Sequence, residues 1–139
     1  GEVILRHPDT VIVVTTNNNY AGCRDMNQSV ISRMNLIIDM EDPDTDILAE
    51  RAMKVTGCTD KTTVTDMADT LRDINERCRE TMVNDGCCGV RELISWVQSY
   101  MVCGSILDSA KYTVLSSVSS DPDNRADILS SCLEQKYAA

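Results

Sequence analysis

Few side chains in this sequence could do chemistry, and they are spread along the chain. Three consecutive asparagines at residues 17–19 follow an apolar run, although turn chemistry alone would account for such a triplet. The single histidine, His7, lies beside Pro8 without a partner pattern, so we assign it no role. The seven cysteines lack the paired Cys-x-x-Cys spacing of zinc sites, which favours reduced, partly buried thiols.

The overall composition excludes some classes of function. The 139 residues fit one domain, or one domain and part of another, and a hydrophobic fraction of 42% suffices for a packed core. The formal net charge of −9 repels phosphate backbones, so we expect no nucleic-acid partner. No apolar stretch has the length of a membrane span and no signal peptide is visible, so we expect a cytoplasmic protein that does not contact a membrane.

Two short apolar runs near the N-terminus predict buried strands. Residues 11–14 read Val-Ile-Val-Val, a β-branched run that is too short for a helix. The second predicted strand covers residues 35–39 and contains the run Leu-Ile-Ile at residues 36–38. The stretch between them predicts a polar loop and a short helix over residues 27–34. A two-stranded parallel sheet is not stable alone, so we expect both strands to belong to a larger sheet and the chain to be a piece of a longer protein.

From Asp42 onward the sequence predicts about five helices. Asp42 followed by Pro43 favours a helix start. The predicted helices share an apolar stripe at helical spacing and cover residues 42–57, 64–82, 90–101, 106–118 and a last stretch opened at residues 121–122. The predicted breaks are glycines or a turn pair, at residues 57, 85–86 and 104.

These elements predict a mostly α fold with a small parallel β remnant. Short connections make neighbouring helices antiparallel, so the helical part should form a bundle. Its predicted core consists of apolar positions that recur at helical spacing: Val64, Leu71, Ile74, Leu93, Val97, Val114, Leu115 and Leu129. Trp96 fits either core packing or a contact between subunits.

Four segments carry a resemblance to a known family. The first apolar run continues as Val-Val-Thr-Thr-Asn-Asn at residues 13–18, and a glycine-containing segment follows that ends in Ser-Arg-Met at residues 32–34. The second apolar run comes next, and Gly-Val-Arg-Glu-Leu stands at residues 89–93. In this order the segments resemble the later part of AAA+ ATPases of the MoxR group and its CbbQ- and NorQ-like relatives. Asn19 departs from the family's usual Pro, and Met34 departs from its usual Phe.

The resemblance implies roles in ATP hydrolysis for a few polar side chains. Asn18, or Asn17 if the register is shifted by one, would be the sensor-1 amide that orients the attacking water and touches the γ-phosphate. Arg33 would be the arginine finger facing the ATP of a neighbouring subunit, and Arg24 is a weaker candidate for that interface. Arg91 would be the sensor-2 residue, which reaches over the nucleotide of its own subunit.

Each of these roles has a plainer alternative. Arg33 could be a surface arginine paired with an acid, and Arg91 could be a solvated arginine beside Glu92. The asparagines could be turn residues only. A cation in the first turn of a helix opposes the helix dipole, which favours a reason other than helix stability for Arg91.

The resemblance also implies the organisation of the chain. Residues 1–58 would be the C-terminal part of the AAA+ α/β core, and residues 59–139 would be the helical lid. The family binds ATP and Mg²⁺, assembles into homo-oligomeric rings and remodels or matures protein complexes, often with a von Willebrand A-type partner. This sequence contains no Gly-x-x-x-x-Gly-Lys-[Ser/Thr] phosphate loop and no acid-tipped strand ahead of residue 11. The chain alone is therefore not expected to hydrolyse ATP.

The alternative function is a non-catalytic, acidic helical module for protein–protein interaction. It accounts for the helices and the net charge of −9 without ATP. It does not account for an apolar run that ends in asparagines and is followed by Arg33 and a second apolar run. A phosphate loop encoded upstream of Glu2 would decide for the ATPase.

Overall fold

Helices make up all the regular structure in residues 3–16, 26–86 and 88–138, which a computed structural model of the chain describes. The helices are α1 (Gln28–Ile31), α2 (Thr45–Thr56), α3 (Lys61–Glu80), α4 (Val90–Cys103), α5 (Ile106–Tyr112), α6 (Val114–Val118), α7 (Pro122–Ile128), a π-helical segment (Leu129–Glu134) and α8 (Gln135–Tyr137). The mostly helical prediction is confirmed. None of these helices is both long enough and apolar enough to cross a membrane.

The two apolar runs predicted as buried strands are neither paired nor buried. The side chains at residues 11–14 are between 53% and 83% exposed, and those at residues 36–38 are between 61% and 75% exposed. A strand needs neighbouring strands to satisfy its backbone N–H and C=O groups. The described residues supply no such neighbours, so the predicted parallel β remnant is not formed among them.

Helix α2 starts later than predicted but ends where predicted. Asp44, not Asp42, is the residue before its first turn, and Pro43 lies outside the helix. The helix ends at Gly57, which has the left-handed φ of 76° and donates its N–H to the Met53 carbonyl. A glycine is favoured there because a Cβ strains this backbone conformation.

Helix α3 is the longest element and presents the strongest apolar stripe. The Asp60 carboxylate caps its start by accepting hydrogen bonds from the Thr63 hydroxyl at 2.6 Å and the Thr63 N–H at 3.1 Å, and these bonds lower the pKa of Asp60. The buried stripe ends at Cys78. Met82, predicted as its last member, lies beyond the helix at a φ of 58° and is 83% exposed.

The predicted helix over residues 106–118 is divided at Thr113 into α5 and α6. The Thr113 hydroxyl donates to the Ser109 carbonyl at 2.7 Å, a bond from a side chain back to its own helix that competes with regular geometry. The last predicted helix also changes along its length, because the turns from Leu129 to Glu134 widen into a π-helix. The Ser131 hydroxyl donates to the Asp127 carbonyl at 2.6 Å at the start of this segment.

The core lies where α2, α3 and α4 meet the C-terminal helices. Of the eight predicted core residues, seven are buried, while Leu129 is partly buried and packs against them. Trp96, for which two roles were open, is fully buried and donates its Nε1–H to the Ile106 carbonyl at 2.9 Å. Helix α2 packs against both α3 and α4, so it shares its core with the helices that follow residue 59.

Candidate functional site at the start of α4

Arg91 lies in the first turn of α4 with its side chain exposed. The Glu92 carboxylate accepts the Gly89 N–H at 2.8 Å, which satisfies one of the free N–H groups at the start of the helix. Arg91 makes no hydrogen bond or ion pair with the described residues. Glu92 thus serves as a helix cap rather than as the partner of Arg91, and the guanidinium is left open to solvent.

The backbone just before α4 is tied to helix α3. The side-chain amide of Asn75 donates from Nδ2 to the Cys88 carbonyl at 2.8 Å. Cys88 is buried and immediately precedes Gly89, the N-cap of α4. The position of the first turn of α4 relative to α3 is therefore set by a side-chain hydrogen bond as well as by packing.

A second tie joins the same loop to the junction between α6 and α7. The Asp85 carboxylate accepts hydrogen bonds from the Ser119 hydroxyl at 2.9 and 3.0 Å, the Ser120 hydroxyl at 2.7 Å and the Ser120 N–H at 2.8 Å. Because these donors stabilise the ionised form, chiefly those of Ser120, they lower the pKa of Asp85 to about 2. The loop before α4 is thus held in its middle at Asp85 and near its end at Cys88.

Gly86 allows this loop to approach α6 closely. A Cβ placed on Gly86 would lie 2.3 Å from the carbonyl oxygens of Ser117 and Val118, which is far inside van der Waals contact. Both obstacles are backbone atoms and cannot rotate away. A glycine is therefore required for this close packing.

Arg33, the predicted arginine finger, is also exposed, but it lies in a different setting. It follows α1, and its Nη1 donates to the Ser29 carbonyl at 2.7 Å. No acid pairs with it among the described residues, so the surface ion pair considered above is not what the structure shows. Arg33 and Arg91 share no hydrogen-bond or ion-pair partner among the described residues.

The contacts described above do not test the remaining predicted residues or the predicted cofactors. Asn17, Asn18 and Arg24 lie outside the described residues, so their roles stay predictions. Within the part of the chain that the structure describes, no group of three or more His, Cys, Asp or Glu side chains could hold a metal ion. The described residues thus offer no ligand set for Mg²⁺.

An open groove of about 420 Å³ between α2 and α3 is a poor nucleotide site. It is lined by Asp46, Lys61, Thr62, Thr65, Asp66 and Asp69. Lys61 is the single cation of this lining, and two of its three carboxylates are already paired, Asp66 with Lys136 at 2.7 Å and Asp69 with Arg72 at 3.3 Å. The groove therefore lacks the several cations that would hold a triphosphate.

Sequence reasoning missed a polar cluster that docks the C-terminus onto α3. Asp66 accepts the Lys136 ammonium at 2.7 Å and the Tyr137 hydroxyl at 2.6 Å, and the Tyr137 hydroxyl also lies 2.7 Å from Thr70 Oγ1. Partial burial acts to raise the pKa of Asp66, but the bonds from Lys136 and Tyr137 outweigh it and lower that pKa. Burial, followed by Asp66, raises the pKa of Tyr137. These partners are separated by 66–71 residues, so no local pattern could have shown them.

A scan against protein-family models and searches of the curated proteins and of the solved structures found no match to this chain. The described residues offer an unpaired guanidinium at an anchored helix start and a second exposed guanidinium beyond α1.

Proposed function

We propose that this chain is the nucleotide-responsive part of an AAA+ ATPase of the MoxR-like group, which couples ATP hydrolysis to remodelling or maturation of protein complexes. The observation that carries the proposal is Arg91, which is exposed and unpaired in the first turn of α4. The positive end of the helix dipole disfavours a cation at this place, so helix stability does not explain the residue. An anionic ligand such as a nucleotide phosphate would explain it.

The proposal gives Arg91, Arg33 and Asn18 the separate roles that the family resemblance implies. Arg91 acts as sensor-2 by contacting the phosphates bound to its own subunit, so that nucleotide state sets the angle of the helical bundle. Arg33 acts as the arginine finger toward the neighbouring subunit, where a planar guanidinium neutralises charge that builds on the γ-phosphate. Asn18 acts as sensor-1 by orienting the attacking water.

The proposal requires parts that the printed sequence does not contain. A phosphate loop and an acidic strand would hold ATP and Mg²⁺ in the full-length protein. The exposed apolar runs at residues 11–14 and 36–38 fit strands whose sheet neighbours are supplied elsewhere in such a protein. Because Arg33 acts in trans, the active form is a homo-oligomeric ring. A von Willebrand A-type protein is the partner that the family resemblance favours.

One consequence concerns the chain by itself, which should neither bind ATP tightly nor hydrolyse it. The reason is the missing phosphate loop, since two arginines alone provide no cradle for the β- and γ-phosphates. Isothermal titration calorimetry of the isolated chain with ATP measures this directly. Micromolar affinity would contradict the assignment of nucleotide binding to parts outside the sequence.

The deciding experiment compares three arginine variants in the full-length ATPase. Arg33→Ala should lower kcat by about 10³-fold or more with ATP affinity nearly unchanged, because a finger in trans acts in the transition state. Arg91→Ala should instead weaken ATP binding. Arg72→Ala is the matched control, because Arg72 is an exposed arginine that pairs only with Asp69 at 3.3 Å on its own helix.

The outcome separates the two candidate functions. A full-length protein that hydrolyses no ATP would overturn the ATPase proposal and would favour the non-catalytic interaction module, which the exposed apolar runs and the net charge of −9 also fit. Wild-type turnover in both Arg33→Ala and Arg91→Ala would instead overturn the roles assigned to these two arginines. Partial recovery of activity on mixing Arg33→Ala subunits with subunits defective in the phosphate loop would support action across a subunit interface.

A further inference from the structure

The position of the first turn of α4 determines where the side chain of Arg91 can meet a ligand. The guanidinium itself has no partner among the described residues, so nothing at its own end fixes its position. The backbone three residues before it is fixed, because the Asn75 amide donates to the Cys88 carbonyl at 2.8 Å. The Gly89 N–H between these two points is satisfied by Glu92 at 2.8 Å.

The tie at Asn75 differs from the other contacts of this loop in where it acts. The bonds of Asp85 and the close approach of Gly86 hold the middle of the loop against the α6–α7 junction. The Asn75 bond holds Cys88, the residue before the N-cap, and joins it to α3, the longest helix of the bundle. Asn75 lies outside the buried stripe of α3, so its substitution removes this bond without truncating that stripe.

We propose that Asn75 is a positioning residue for Arg91, holding the start of α4 so that the guanidinium meets the nucleotide phosphates. This inference rests on the proposed function, because it assigns a regulator to the nucleotide-sensing residue. It also gives α3 a direct part in coupling nucleotide state to the rest of the bundle. Movement of Arg91 on binding or release of a phosphate pulls on the Cys88 carbonyl and, through Asn75, on α3.

The test is a double-mutant cycle in the full-length ATPase with KM and kcat for ATP as readouts. Asn75→Asp keeps the side-chain volume and replaces the donor with an acceptor facing a carbonyl oxygen. It should raise KM for ATP by about 10-fold, less than the roughly 100-fold that a 1 Å misplacement can cost. In the Arg91→Ala background the same change should alter KM by less than about twofold, since the residue it positions is gone.

The matched control is Asn84→Asp, which makes the same substitution and adds the same charge in the loop between α3 and α4. Asn84 is exposed and makes no hydrogen bond with the described residues, so its variant should keep the wild-type KM. A full-length protein without ATPase activity would defeat the proposed function itself, and a wild-type KM in Arg91→Ala would defeat the sensor-2 role of Arg91 on which this inference depends. An effect of Arg91→Ala that Asn75→Asp does not share, or two effects that multiply, would overturn only the positioning role.

A spectroscopic measurement on this chain keeps the inference open to test if Asn75→Asp fails to assemble. Amide chemical shifts of Val90 and Arg91 should move in Asn75→Ser, whose shorter side chain does not reach Cys88, and should stay in place in Asn84→Ser. Unchanged Val90 and Arg91 amides in a folded Asn75→Ser chain would overturn the inference. Thermal melting by circular dichroism shows whether each variant is folded.

Discussion

Two regions of this chain are rich in apolar residues, yet only one of them buries its apolar side chains. The helical region from α2 to α8 forms a core of fully buried side chains such as Trp96, Leu71 and Leu133. The preceding region, residues 3–16 and 26–44, adds no residue to that core, although it contains two apolar runs. A helix satisfies its own backbone and needs only a partner for one face, whereas a strand needs neighbours for its backbone as well. Apolar composition alone therefore does not decide burial.

The largest effect should come from truncating the core of the helical region. Trp96→Ala removes a fully buried ring and its hydrogen bond to the Ile106 carbonyl, and it should cost about 3–5 kcal/mol of unfolding free energy. Urea denaturation followed by circular dichroism measures the loss. Val13→Ala in the exposed run is the counterpart, because Val13 is 79% exposed and its truncation should change stability by less than about 0.5 kcal/mol.

A loss of more than about 1 kcal/mol of unfolding free energy in Val13→Ala would contradict this contrast between the two regions, since truncation of an exposed side chain usually costs less. It would mean that the apolar run is covered, within the chain or by a second copy. Concentration-dependent sedimentation separates these two cases. Hydrogen exchange gives an independent measure, with fast exchange expected for the amides of residues 11–14 and slow exchange for those of residues 64–74.

The next effect concerns a loop that belongs to the helical region despite being exposed. Gly86→Ala forces a Cβ to within 2.3 Å of the Ser117 and Val118 carbonyl oxygens and should cost about 1–3 kcal/mol by overpacking. Gly57 is the contrasting glycine, because its surroundings are open and only its φ of 76° resists a side chain. Gly57→Asn should therefore cost less than Gly57→Ala, whereas Gly86→Asn should be no better than Gly86→Ala.

Equal stabilities of Gly86→Asn and wild type would show that the loop does not lie against α6. The same denaturation experiment serves for all four variants. A side chain is resisted by neighbouring atoms at Gly86 and by the positive φ at Gly57. The effect of asparagine at the two positions therefore distinguishes steric conflict from backbone strain.

The helical region was predictable because its signals are local. Apolar residues at helical spacing indicated α3 and α4. Gly57 ends α2 and Gly104 ends α4, with the left-handed φ values of 76° and 73°. The division at Thr113 and the π-helical segment were missed, since both involve hydroxyl groups bonding to their own backbone, which no apolar pattern records. The two strands are not formed among the described residues, because a β-branched run shows a preference for burial but not whether neighbours exist.

The candidate site was predictable only in part. The apolar stripe that begins at residue 90 predicted a helix opening near Gly89, and this placed Arg91 in the first turn correctly. The anchors of that turn were not visible. Asn75 is 13 residues from its partner, and Asp85 is 34 and 35 residues from Ser119 and Ser120. Such contacts depend on tertiary packing and leave no trace in a single sequence.

A pH titration should show a smaller but specific effect at the anchor of the helical region. The pKa of Asp85 is lowered from 3.8 to about 2 in the folded protein, so the carboxylate contributes stability that is complete above pH 3.8. That contribution is lost as the pH falls toward 2. The stability difference between wild type and Asp85→Asn should accordingly be constant from pH 5 to 7 and should shrink below pH 4.

The smallest effect is expected where an ion pair joins the two regions. Arg79 donates to Asp42 at 2.9 Å, but their side chains are 68% and 87% exposed. Solvent screens such a pair, so Arg79→Ala should change the unfolding free energy by less than about 0.5 kcal/mol, and the change should vanish in about 1 M NaCl. Arg77→Ala is the control, because it removes a bidentate pair between Arg77 on α3 and Asp127 on α7. It should lower the unfolding free energy by more than Arg79→Ala does. A salt-insensitive loss in Arg79→Ala as large as that in Arg77→Ala would mean that the N-terminal region is packed onto the bundle.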